Sequence, residues 1–125
     1  MATLPRHDPY TDMRNLKWSP AEKAIARKAF DLALRRELDA VIREAKDRAS
    51  RIEQPSQLWD LEHFLTQRRK HIDRQFDFRY SVLPMVFGNL IRQGRLSEQD
   101  LHGLAQDKLT LIRWQATLPS TGFGG

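Results

Sequence analysis

From Pro20 to Ile52 the chain follows one helical pattern, and this stretch constrains the fold more than any other. Phe30, Leu34, Leu38, Val41, Ala45, Ala49 and Ile52 lie along one face. Arg27, Asp31, Arg35, Asp39, Arg43 and Lys46 occupy the other, alternating in sign as on a solvated helix. The start is fully signalled. Ser19 can cap the free amides, Pro20 suits the first helical position, and Glu22 stands where a capping box needs it. A helix of roughly 35 residues is about 50 Å long at 1.5 Å per residue. In a chain of 125 residues the other helices are too short to cover such a stripe. A second subunit is the usual cover, so the pattern predicts a homodimer.

Gln54, Pro55 and Ser56 break this helix and cap a second, expected from about Gln57 to the region of Phe76 and Arg79. Leu58, Leu61, Leu65, Ile72 and Phe76 fall on one face of it. Trp59 is turned about 100° from Leu58, among Asp60, His63 and Arg69. A large aromatic among charges on a helix is more often a docking surface than a core element. A third helix is expected from about Ser81 to Gln93. Pro84 lies in its first turn, Val82, Met85, Val86, Phe87, Leu90 and Ile91 make it the most apolar segment, and Gly94 ends it as a left-handed cap. Ser97 caps a fourth helix carrying Leu101, Leu104, Leu109, Ile112 and Trp114. The expected fold is all-α: two long antiparallel helices plus a small C-terminal two-helix head, dimeric through the long helices. Residues 1–17 are read as an unstructured tail, 18–115 as one domain and 116–125 as a flexible tail.

Several function classes fall away. No apolar run is long enough to span a bilayer, Met1–Pro9 lacks the apolar core of a secretory signal, and no cysteine is present, so a reducing cytoplasm is the expected compartment. Leu118-Pro119-Ser120-Thr121-Gly122 has the L-P-x-T-G spacing of wall-sorting signals. Only Phe123, Gly124 and Gly125 follow it, and the segment reads as a tail. Neither a nucleophile elbow nor a glycine-rich phosphate loop occurs, so no enzyme and no cofactor is expected. Asp60, Glu62 and His63 do not have metal-ligand spacing, and His71 and Asp73 face different sides of their helix. The net charge of +5 favours acidic partners. Nucleic acid is the rival reading, resting on Arg68, Arg69, Lys70, Arg74, Arg79, Arg92 and Arg95. Asp73 and Asp77 interleave with these bases, and the third helix is too apolar to read a groove.

Trp18-Ser19-x-Ala21-Glu22, Arg36-Glu37-Leu38-Asp39, Leu58-Trp59-x-Leu61, Phe64-Leu65, Arg69, Ile72-Asp73, Arg79, Ser81-Val82, Val86-Phe87, Gly94 and Asp107-Lys108 stand at ungapped spacing from Trp18 to about Ile112. In these positions the chain resembles the cyanobacterial fluorescence recovery protein family. The resemblance implies a small, all-helical, dimeric and non-enzymatic regulator. Such proteins bind the photoactivated orange carotenoid protein and speed its return to the resting orange form, which ends phycobilisome quenching. It also implies a working patch of tryptophan, aspartate and arginine on the second helix, near the dimer interface. Trp59 and Arg69 match its ends. At the aspartate position this chain has His63, with Glu62 one residue before it. In the head, Met85 and Leu111 replace a phenylalanine and a lysine of the family pattern. The expected partner-binding set is therefore Trp59, Asp60, Glu62, His63, Phe64 and Arg69, with Met85 and Leu111 as the altered head positions. The departures leave open a different protein partner for a divergent dimeric helical module.

Overall fold

The computed structural model describes residues 8–119, which form five α-helices and one 3₁₀ turn and contain no strand. The capping box expected at Ser19 is present. The Glu22 amide donates to Ser19 Oγ at 3.1 Å, and the Ser19 amide donates to Glu22 Oε1 at 3.0 Å. Helix α2 runs from there, Pro20–Ser50. Helix α3 is Pro55–Gln75, and its start is held by Gln57, whose Oε1 accepts from the amides of Glu53 and Gln54 at 2.7 and 2.8 Å. Contacts between α2 and α3 pair late residues of one with early residues of the other. Arg48 lies 4.2 Å from the Phe64 ring centre, the Glu37 carboxylate accepts from Arg68, and Phe30 meets Phe76 edge-on at 5.5 Å.

After α3 the chain is extended rather than helical, and its residues explain why. Phe76, Phe78 and Tyr80 recur at every second position, which places their rings on one side of an extended strand of chain. Phe30 packs edge-on to Phe78 at 5.0 Å, and Trp18 meets Tyr80 at 5.5 Å. The residues between them face the other way, and Arg79 Nε donates to Asp77 at 2.9 Å. Helix α4, Leu83–Arg92, follows and ends at Gly94 with φ +77°.

Other expectations need correction too. The expected fourth helix is two elements: a 3₁₀ turn, Glu98–Leu101, capped by Ser97, and then α5, Gln106–Thr117. Gly103 divides them at φ +104°, a backbone state open to glycine, and a Cβ there would lie 2.6 Å from Ile25. The N-terminal segment is also not wholly unstructured. Pro9–Asn15 forms helix α1, with Asp8 capping the Tyr10 amide at 3.1 Å and Pro9 in the first turn. Helix α5 likewise reaches two residues into the expected C-terminal tail. Expectations for residues 1–7 and 120–125, which include most of the L-P-x-T-G segment, lie outside the described residues.

The core sits at one end of the molecule. Ala26, Ala29, Phe30 and Ala33 of α2 pack with Leu83, Val86, Phe87 and Leu90 of α4, and with Leu96, Leu101, Leu104 and Ile112. Helices α4 and α5 approach closely at Gly88, where a Cβ would lie 2.5 Å from Gln115 Cβ on α5. Two buried ionic groups fasten this head to the long helices. Lys108 Nζ donates to Glu22 Oε1 at 3.1 Å, and the Ala105 amide donates to Glu22 Oε2 at 2.9 Å. Burial pushes the Glu22 carboxyl up, but the Ala105 and Ser19 amides and the Lys108 ammonium outweigh it and hold the pKa at about 2. Further along α2, Glu37 is only 3% exposed and binds Arg68 of α3 and, at 3.3 Å, Arg95 of the loop after α4.

Candidate docking groove

Beyond Glu37 no further described element covers the two long helices, and α2 buries no residue there. Between them lies an open groove of about 850 Å³, lined by Leu34, Leu38 and Val41 of α2 and by two adjacent ridges of α3. One ridge holds Leu58, Leu61, Leu65 and Ile72 of the expected apolar stripe together with Arg68, while Phe76, the stripe's last expected member, lies beyond α3 against Phe30. The second is Trp59, Glu62, Thr66, Arg69 and Asp73, at the same alternating spacing of three and four. Both ridges face the groove, so Trp59 does not stand apart from the stripe. It widens it. Trp59 is 65% exposed, and Leu38, Ile42, Leu58 and Leu65 are each between 40% and 48% exposed. A cluster of large side chains this open is a candidate docking surface by the same physics that buries such residues elsewhere in the chain.

The six partner-binding residues expected from sequence separate in space. Trp59, Glu62 and Arg69 line the groove. Asp60 and His63 are exposed but do not line it, and Phe64 is half-buried beneath the Arg48 guanidinium. The carboxylate facing the groove on this ridge's first turn is thus Glu62, which also accepts from Thr66 Oγ1 at 3.3 Å. Arg69 makes no ion pair with a described residue, whereas neighbouring Arg68 is committed to Glu37. Leu34, Leu38, Val41, Thr66 and Asp73 were not in the expected set. The second ridge was legible in its spacing, but the α2 contribution depends on how the two helices pair. In the head, Met85 is half-buried and Leu111 is buried, so Leu111 offers no surface for direct contact.

Among the described residues no group of three or more His, Asp or Glu is placed to hold a metal ion. No described helix is long and apolar enough to cross a membrane. These features define an all-helical protein with a packed head and a two-helix arm that presents an apolar, partly charged groove. Residues 18–116 match the model of a family described as the photoprotection regulator fluorescence recovery protein. The fluorescence recovery protein of Synechocystis sp. PCC 6803 is 39% identical over 101 residues, covering 81% of this chain and 93% of that protein. The solved structure of the Fremyella diplosiphon fluorescence recovery protein is similar with a TM-score of 0.78 and 41% identity, over 82% of this chain and all of that one. The Synechocystis structure gives the same TM-score at 38% identity, with the same shares covered. The chain belongs to the fluorescence recovery protein family.

Proposed function

We propose that this protein is a dimeric, non-enzymatic photoprotection regulator of the cytoplasm. It binds the photoactivated orange carotenoid protein and accelerates its return to the orange state, ending phycobilisome quenching. The observation that carries the reading is the groove, in which the two family-matched residues Trp59 and Arg69 share one ridge of α3. In this reading α2 and α3 pair antiparallel, and a second copy covers part of their exposed leucines. Trp59 serves as the aromatic anchor and Arg69 as the free cation for an acidic group of the partner. The test is the dark red-to-orange decay of photoactivated carotenoid protein with and without this protein. Acceleration that is lost in Trp59→Ala and Arg69→Lys supports the reading, and an unchanged decay with the native chain ends it.

One observation favours a second reading, a different protein partner. Glu62 brings a carboxylate into the groove while His63 stays outside it, so the charge presented beside Trp59 differs from that of the family pattern. In that case Glu62→His with His63→Asp, which restores the family order, confers acceleration that the native chain lacks.

A further inference from the structure

The family match begins at residue 18, so α1 stands outside it. Its attachment to the head is light and specific. At one end Tyr10 meets Trp114 of α5 edge-on at 6.1 Å. At the other, the Lys17 carbonyl accepts from Lys108 of α5. Met13 lies between these two anchors in the chain. It is 1% exposed yet lies outside the main core cluster, and on α5, between Lys108 and Trp114, Leu111 is likewise buried and outside it.

We propose that α1 is a releasable strap: it fills, within the same chain, a helix-docking seat on the outer face of α5. A seven-residue helix is far below the length at which helices persist unaided, so α1 is helical only while docked. Its polar side satisfies itself, with Thr11 Oγ1 donating to Asp8 and Arg14 donating to Thr11, both at 3.2 Å. Of the buried apolar residues only Met13 belongs to α1, and the main core cluster lies wholly outside it. Lys108 gives up the Lys17 carbonyl but keeps Glu22 and Asp107, so the bond between head and α2 survives the release. Such a segment opens locally, well before the head unfolds. The open form presents Leu111 and Trp114 together. That seat fits a short helix carrying an aromatic and an unbranched apolar side chain three residues apart, as Tyr10 and Met13 are. The inference does not depend on the carotenoid protein as partner.

Hydrogen exchange on the unmodified full chain is the first test. The amides of residues 12–16 should exchange at least ten times faster than those of α4 and α5. Exchange at the same rate as α5 would mean that α1 opens only with the whole fold, and overturns the proposal. The second uses a fluorescent peptide of residues 8–17 as the probe. Full-length Met13→Asp should bind it at least tenfold tighter than the native chain, whose own strap competes, and a peptide carrying the same change should not bind. Equal binding to both chains overturns the seat. Loss of helical signal in Met13→Asp beyond the seven residues of α1 also counts against it, because a strap is dispensable to the rest of the fold.

Discussion

Up to Glu37, helix α2 buries a residue on almost every turn; from Leu38 onward it buries none. The two halves do not differ in helix-forming character, since both are rich in alanine and alternating charge. They differ in what lies opposite. The first half faces α4 and the 3₁₀ turn through Ala26, Ala29 and Ala33, whose small side chains admit close packing. The second half faces only α3, whose single buried residue is Ile72. One helix thus serves as the core of a folded head and then as one wall of an open arm. Stability is concentrated at one end and unsatisfied apolar surface at the other. The contrast separates substitutions that act on folding from those that act on association.

The largest effect is expected in the head. Phe87→Ala removes a fully buried ring and should cost about 3–5 kcal/mol in denaturant unfolding; a loss near zero would erase the contrast. Acid should act at the same end. Because the folded Glu22 pKa of about 2 lies below its ordinary 4.5, the stability it contributes is complete above pH 4.5. That contribution is lost as pH falls from 4.5 towards 2. It is on the order of 3 kcal/mol, and Glu22→Gln should flatten the melting temperature across that window. On the arm, Trp59→Ala should leave the unfolding of a single chain within ~0.5 kcal/mol. In the proposed reading it should weaken binding of the photoactivated carotenoid protein by about 2 kcal/mol, as loss of an aromatic anchor does, measured by titration of that partner. The smallest effect belongs to the solvated face. Arg35→Ala breaks the exposed 3.2 Å pair with Asp39 and should change stability by less than ~0.5 kcal/mol.

The head was largely written in local signals. Ser19, Pro20 and Glu22 announced the start of α2, and Gly94 announced the end of α4, because caps and left-handed turns depend on a few adjacent residues. The division of the last helix was missed because Gly103 acts through a close approach to Ile25, some eighty positions away in the chain. Helix α1 was missed for a related reason. Seven residues show no periodicity, and a helix this short depends on its contacts with α5, Tyr10 with Trp114 and the Lys17 carbonyl with Lys108. At the groove, the ridge containing Trp59 and Arg69 could be read from spacing alone. That Glu62 faces the groove and His63 does not follows from how α3 is rotated against α2, which pairwise contacts such as Glu37 with Arg68 decide.

The three tryptophans are distributed one to each mechanical part: Trp18 beside the Glu22–Lys108 bond, Trp59 in the groove, and Trp114 under the strap. Trp59 is exposed while Trp18 and Trp114 are half-buried against different neighbours, so the chain carries three optical probes that need no label. Variants retaining a single tryptophan would let the emission spectrum separate loosening of the head, occupation of the arm and lifting of α1. Trp18 adds a second handle, since Tyr80 lies 5.5 Å from it and can pass excitation to it only while the head end of α2 holds the extended aromatic segment in place.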